Sequence, residues 1–450
     1  MMQDKFIDKN MTALISDLQK LIRQPSVSAK NVGLEECARL VVCMMRKAGI
    51  KAETLRIGKN IPPAVYGEVR SKQNPAKTIL FYNHYDVQPA EPLELWNDKP
   101  FSGNIRGNKI YGRGSADDKG ELITRIKAAE AFLKTTGDVP CNIKFLVEGE
   151  EEIGSMHIED YLQRYERKLS CDAVIWEFGY VDEKDRPIIS LGMKGLLYVE
   201  LSVQESVRDA HSSLAVLIEN PAWRLVEALK TLRNKDGKIL IKDWYKEVED
   251  FTNEELRVIA SEPFDEKSFK KEYGIKRFVG DKKGVKIRKA LVGEPTCNIA
   301  GFTSGYEGLG AKTVLPSRAL VKIDFRLVPK MSPLKQLGRL KQHLKERGFE
   351  DIQVRMIHGE AASRTKISNQ FVKTVREAAN EAFGKSIVSV SSAGTGPMYS
   401  FSKVLKVPCI SIGSTYIFSR IHSPNEFARI DLLQKTTKCM CKIIKKFSNQ

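Results

Sequence analysis

Only six histidines occur in 450 residues, so each can be weighed singly. His84 lies in FYNHYDVQP with Asp86 two residues on, a spacing that puts both side chains on one side and lets a carboxylate hold an imidazole or its metal neighbour in place. A histidine at a strand end is more often structural or solvated than a ligand, so the pair needs company. YGRGSADDKGE, residues 111–121, sets Asp117 and Asp118 behind a run of glycines where a helix should begin. Acidic residues there ordinarily cap the helix and complement its dipole. Two adjacent aspartates are more than a cap requires, and one carboxylate has two oxygens with which to bridge two cations. EGEEEIGS, residues 148–155, crowds acids directly after an apolar run, at the carboxyl end of a strand where open α/β sheets bind their ligands. Acid runs are usually solvated, but packed at such a place they cost free energy unless a cation or proton compensates them, and the crowding raises a carboxyl pKa toward general-base range. Glu177 closes DAVIWEF and His422 lies in SRIHSPNEF. His, Asp, Glu, Glu and His at successive strand exits make an oxygen and nitrogen set for two metal ions.

The elements that must carry these residues alternate. Apolar periodicity predicts helices over residues 11–23 and 34–48 and one running through Leu122, Ile126, Ala129 and Leu133; KTILFYN, CNIKFLVE and DAVIWEF read as buried strands. Strands alternating with helices argue a sheet covered on both faces. From about Gly195 the pattern changes to strand, a helix opened by Asn220-Pro221, two strands, a helix opened by Ser332-Pro333, and a strand. That β-α-β-β-α-β order is ferredoxin-like, widened by a charged, mostly helical insertion near residues 234–290. After residue 361 the first style returns. The expectation is an α/β chain with an α/β/α domain from residues 1–194 and 361–450, built on a mostly parallel sheet and carrying the candidate site, interrupted by an inserted α+β domain over residues 195–360.

Composition narrows the class. Hydrophobic residues make 42% and charged residues 29% of the chain, ordinary globular proportions that exclude disordered and fibrous proteins. No run approaches the roughly 18 apolar residues of a membrane span, and the opening MMQDKFIDKNMTALISDL has an amphipathic helix pattern without the apolar centre of a signal peptide. A soluble, cytoplasmic protein with no membrane partner is expected. Eight scattered cysteines without a CxxC argue against a disulfide scaffold and a thiolate zinc site. The net charge of +17 is concentrated in KRFVGDKKGVKIRK, residues 276–289, and near Lys435–Lys446. The first run holds a single aromatic residue, Phe278, the second none, and neither has a nucleic-acid module, so the charge reads as solvated surface and no nucleic-acid partner is expected.

YNHYDVQP with Trp96 and Pro100-Phe101 after it, YGRGSADDKGE, EGEEEIGS, GAKTVLP, DFRLVP and IHSPNE occur in order along nearly the whole chain. Together they resemble the co-catalytic metallopeptidases that include aminoacylase, carboxypeptidase G, succinyl-diaminopimelate desuccinylase and carnosinase, and resemble most the carnosinase and cytosolic dipeptidase branch. The resemblance implies two divalent ions per subunit, zinc foremost with manganese or cobalt as alternatives. By the same resemblance His84 and Glu177 hold different ions, Asp117 bridges them, and Glu152 and His422 complete the sets. It makes Asp86 the orienter of His84 and Glu151 the general base for a metal-bridging water. Glu148 and Glu150 are then flanking acids. It further matches His211 to an oxyanion contact, Thr313 and Arg326 to substrate-carboxylate binders, and Thr395 to a position where relatives often have serine.

The implied activity is hydrolysis of amide bonds in small peptides with a free C-terminal carboxylate, the alternative being N-acyl amino-acid deacylation. A non-enzymatic basic binding protein on a dead scaffold is the third reading; it expects a lost ligand or base, and none is missing. Because His211 lies in the inserted domain, closure or a second subunit must complete the site. In the resembled family such an inserted lid and dimerisation domain pairs between subunits and brings this histidine into the neighbour's site. Apolar residues on both alternations of GLLYVELSV and ALVKIDFRL, more than a one-sided sheet requires, are compatible with that, and the resemblance implies a homodimer with His211 acting in trans. His157, His343 and His358 find no motif partner and are expected to be structural or solvated.

Overall fold

The computed structural model describes residues 1–450. The chain divides into two compact units, one of Met1–Gly192, Arg364–Val390 and Gly396–Gln450, the other of Met193–Ser363 and Ser391–Thr395. In chain order the first unit begins with helices α1 (Met2–Lys9), α2 (Met11–Arg23) and α3 (Leu34–Lys47) and strands β1 (Lys51–Leu55), β2 (Ala64–Val69) and β3 (Thr78–His84). It continues with α4 (Lys119–Thr136), β4 (Asn142–Glu148), β5 (Ala173–Trp176) and β6 (Ile188–Ser190). The second unit supplies β7 (Gly195–Gln204), α5 (Pro221–Leu232), α6 (Asn253–Ser261), α7 (Glu266–Tyr273), α8 (Val285–Gly293), β8 (Thr296–Ser304), β9 (Arg318–Leu327), α9 (Pro333–Glu346) and β10 (Gln353–Glu360). The chain then returns with α10 (Gln370–Phe383), β11 (Ile387–Ser389), β12 (Cys409–Ser411) and α11 (Ile430–Phe447).

The first unit is built on an eight-stranded sheet in the order β1-β2-β4-β3-β5-β12-β6-β11. Its centre, β4-β3-β5-β12, is parallel. Every residue of β3 is buried, as a strand covered on both faces requires. Helices α1–α4, α10 and α11 bring Leu18, Val41, Ile126, Val375 and Ile444 into one core with Ile79, Phe145 and Ile175 of the sheet. Parallel strands all end on one side, so the residues closing β3, β4 and β5 are gathered there by topology alone. Two elements differ from the sequence expectation. The opening segment breaks at Asn10, whose Nδ2 donates back to the Phe6 carbonyl at 2.8 Å. The strand read as DAVIWEF stops at Trp176, which leaves Glu177 in the following turn.

The second unit holds a four-stranded sheet, β8-β9-β7-β10, antiparallel throughout. This is the strand order of a ferredoxin-like fold. Along β9, Val321, Ile323, Phe325 and Leu327 are fully buried and pack with Leu225 and Leu232 of α5 and Leu340 of α9. Both helices start where the sequence predicts: the Asn220 side chain accepts from Ala222 N and the Ser332 side chain from Lys335 N, each with proline at the first helical position. The insertion folds as α6, α7 and α8 with intervening loops. Ser391–Thr395 belongs to this unit, whereas the sequence reading kept the whole of 361–450 in the catalytic domain; a five-residue excursion has no periodicity of its own to reveal it.

Candidate metal centre

In the first unit the structure brings His84, Asp117, Glu151, Glu152, Glu177 and His422 together. Potential ligand atoms of His84, Glu151 and Glu177 all lie within 4.8 Å of one another, and so do those of His84, Asp117 and Glu152. His84 Nε2 is 3.1 Å from Asp117 Oδ1, and His422 Nε2 is 3.1 Å from Asp117 Oδ2. The same His422 nitrogen is 3.1 Å from Glu152 Oε2. Asp117 therefore offers one oxygen to each imidazole, the arrangement of a carboxylate that bridges. His84 falls in both groups, and it lies close to Glu177 because β3 and β5 are adjacent and their ends are neighbours.

Supporting residues fix this arrangement. The backbone carbonyl of Asp86 lies 3.0 Å from His84 Nδ1 and its Oδ1 lies 3.3 Å away. The Asp86 carboxylate also accepts from the backbone N–H groups of Glu151 and Glu152 at 3.2 and 3.0 Å. One buried aspartate thus holds the histidine and the acidic turn in mutual register. Asp118 accepts from Asn83 Nδ2 and His84 N, and the peptide joining it to Asp117 is cis. Lys119, fully buried at the start of α4, donates to the carbonyls of Leu21 and Gln24. Gly114, at φ +81°, passes so close to Val87 that an added Cβ would stand 2.5 Å from Val87 Cγ1.

Electrostatics mark the cluster as short of positive charge. Burial, with the neighbouring carboxylates adding to it, pushes Glu151 and Glu177 well above the usual carboxylate range and raises Glu152. Burial works against charge at Asp117 too, but the His422 and His84 imidazoles hold its carboxyl well below that range. Hydrogen bonds to Asp117 and Glu152 push His422 up to about 10. Glu152 Oε1 and Glu177 Oε2 are buried without a hydrogen-bond partner, an expense a protein ordinarily avoids. Two such oxygens, a bridging aspartate and two imidazoles fit a pair of divalent cations.

Glu148 and Glu150 stand outside the set. Glu148, pushed up to about 8 by burial, accepts from Tyr82 Oη at 2.5 Å, and Glu150 Oε2 lies 2.8 Å from His157 Nδ1. His343 is buried with Nε2 2.9 Å from Thr231 Oγ1, and His358 is partly buried on β10. Two contributors went unread in the sequence. Gln88 donates to the carbonyl and the carboxylate of Glu152 at 3.0 and 2.9 Å. Glu426, fully buried, accepts from Arg113 Nη1 at 2.7 Å and from the backbone N–H groups of Gly114, Ala116 and Asp117. Its place in IHSPNE, four residues after His422, was the available signal.

The second unit carries the remaining candidates as two pairs. His211 and Val314 are register partners in a short ladder, and Ser212 N reaches the Thr313 carbonyl, so His211 and Thr313 are neighbours. Arg326 Nη1 donates to Thr395 Oγ1 at 2.6 Å.

A mostly parallel α/β sheet whose strand ends converge on imidazoles and carboxylates defines a metal-dependent hydrolase. A profile of peptidase family M20/M25/M40 matches residues 80–446. The Cys-Gly metallodipeptidase of Schizosaccharomyces pombe is 30% identical over 358 residues, 75% of this chain and 74% of its own. The β-Ala-His dipeptidase of Rattus norvegicus is 27% identical over 372 residues, 79% of this chain and 75% of its own. Among solved structures, an M20 family metallo-carboxypeptidase from Sulfolobus solfataricus matches with a TM-score of 0.92 and 38% identity, over 97% of this chain and 99% of that one. The chain belongs to peptidase family M20/M25/M40, as its six motifs led one to expect, and it is an enzyme.

Proposed function

We propose that the protein is a dipeptidase that hydrolyses small peptides with a free C-terminal carboxylate, using two divalent ions. The observation that carries this is the convergence of six ligand-type side chains around two orphaned carboxylate oxygens, in a chain related to metallodipeptidases. His84 and Glu177 would hold one ion and Glu152 and His422 the other, with Asp117 shared between them. Bound there, the cations supply positive charge that acidifies water and polarises a carbonyl. Glu151 takes the proton from the attacking water and returns it to the departing amine. Asp86 orients His84 and the turn that carries Glu151. His211 donates to the developing oxyanion, while Arg326, with Thr313 and Thr395, receives the substrate carboxylate. Imidazole and carboxylate donors suit zinc, manganese and cobalt, and we take zinc as the resident ion. No helix is long and apolar enough to cross a membrane, and all eight cysteines are free, which suits a reducing cytoplasm.

Geometry within the second unit favours a homodimer. The ladder that carries His211 continues past the Arg318 end of β9, while Arg326 lies near the other end. Eight residues of antiparallel strand span roughly 27 Å, whereas an extended dipeptide spans about 7 Å. One small substrate cannot touch both pairs of a single chain, so His211 and Thr313 serve the partner's site. Strand β8 is a sheet edge with Ile299 and Phe302 exposed, and α5 exposes Trp223 and Val226, apolar surface suited to pairing with a second copy.

The test is metal analysis joined to amino-acid release from dipeptides, dipeptide amides, and N-acetyl and N-succinyl amino acids. Two ions per chain and release from free dipeptides alone are expected. Release from the acyl amino acids alone would move the protein to the deacylases, and equal rates on the amides would remove the carboxylate requirement.

A further inference from the structure

The inserted helices of the second unit line an open cavity of about 940 Å³ in which only Arg326 has a role in the proposed reaction. Its floor is the sheet. Thr296 pairs with Arg326 and Asn298 with Asp324 across β8 and β9, on the strand face opposite the buried Cys297 and Phe325. Its wall is aromatic: the rings of Phe264, Phe269 and Phe278 lie 5.3 to 6.1 Å apart as one cluster, and Tyr245, Ile287 and Leu291 continue the lining. Several of the cations around it are already engaged. Lys282 pairs with Glu294 at 3.3 Å, Lys194 Nζ donates to the Glu294 carbonyl, and Arg233 donates to the Cys297 carbonyl. Arg326 also borders the cavity; its guanidinium donates to Thr395 and its Nε lies 4.0 Å from Asp324 Oδ1, which leaves further donors of the guanidinium's five for a ligand.

We propose that this cavity is a specificity pocket that takes a bulky apolar or aromatic side chain on the C-terminal residue of the substrate, whose carboxylate rests on Arg326. The proposal rests on the dipeptidase reading. An arginine at the edge of an apolar cavity fits a residue that is anionic at its carboxylate and greasy at its side chain, and the volume lies in the range of pockets that enclose small organic ligands. Glycine would leave the aromatic wall in contact with water; phenylalanine or leucine would cover it.

The experiment compares kcat/KM of the metal-loaded enzyme on Ala-Gly, Ala-Leu, Ala-Phe and Ala-Glu, for the wild type and for Ala290→Trp and Leu291→Trp, each of which fills the cavity from α8. The wild type should favour Ala-Phe and Ala-Leu over Ala-Gly by a factor on the order of 10 to 100. Each variant, with an unchanged melting temperature, should shrink that ratio at least about tenfold. A wild-type preference for Ala-Glu, no preference at all, or a ratio that both folded variants keep would overturn the pocket while leaving the dipeptidase reading standing. Cleavage of none of the four would overturn the dipeptidase reading and this one with it.

Discussion

Glu151 and Asp117 are both carboxylates of one cluster, yet their surroundings shift them in opposite directions. Burial and neighbouring charge raise Glu151 toward a proton-accepting range, and two imidazoles keep Asp117 ionised. Replacing Glu151 by Gln should therefore leave two ions per chain and a normal melting temperature while kcat falls by a factor on the order of 10² to 10⁴, the worth of a positioned proton-transfer group; near wild-type turnover would take Glu151 out of the reaction. Asp117→Ala should instead lose metal, read by elemental analysis, and two retained ions would end its bridging assignment. Protonation gives a third test at this scale. A group whose pKa is higher folded than unfolded stabilises at low pH and loses that contribution as pH rises. His422, at about 10 against an ordinary 6.5, keeps its contribution below pH 6.5 and loses it toward pH 10, and the raised Glu151 and Glu177 change in the same direction. The metal-free protein should thus melt at falling temperature from pH 6.5 to 9.5, and the gain on adding metal should widen. A gain independent of pH would show that the ions do not replace these protons. The cluster was legible because each motif carries its chemistry within a few residues: His84 with Asp86, the paired aspartates, the acid run. The grouping of His84 with Glu177 was not, because it depends on β3 lying beside β5.

Among the elements, the helices announced themselves through caps and periodicity, as at Asn220-Pro221 and Ser332-Pro333, while the loops that bear the site did not. Glu426 shows why. Its carboxylate gathers Arg113 and three consecutive-region N–H groups of the 114–117 turn, tying the loop of Asp117 to the loop of His422. His422 itself sits at φ +57°, with Arg420 and Asn425 also at positive φ, so this loop carries backbone strain that outside contacts must hold. No spacing rule links residue 113 to residue 426; only the fold makes them partners. Glu426→Gln preserves shape but leaves a buried guanidinium without its counter-charge, a loss of about 3–5 kcal/mol. The variant should melt several degrees lower and bind metal more weakly, since both loops relax together. Unchanged metal affinity, measured by titration against a chelator, would reduce Glu426 to a structural ion pair remote from the site.

Over the whole molecule, the β-α-β-β-α-β order was enough to foresee the sheet of the second unit, because alternating burial and proline-started helices leave few other antiparallel arrangements. What the order could not convey was the return of Ser391–Thr395 to that unit, which sets Thr395 beside Arg326. The separation of the Arg326 pair from the His211 pair along β9 then turns a question of catalysis into one of assembly. If each active site needs Glu151 from one chain and His211 from another, two singly disabled proteins can repair each other. His211→Ala and Glu151→Gln are each nearly inactive as pure dimers, since every site of either lacks one group. Mixed under conditions that exchange subunits, half the dimers at random pairing are hybrids. In a hybrid, the chain that keeps Glu151 receives the His211 of its partner, so one site of two is whole. About a quarter of all sites should then be intact, and activity should return toward a quarter of wild type, following the time course of exchange measured with differently tagged chains. Exchange without recovered activity would place His211 in the site of its own chain, and a fully active monomer by light scattering would remove the dimer from the account altogether.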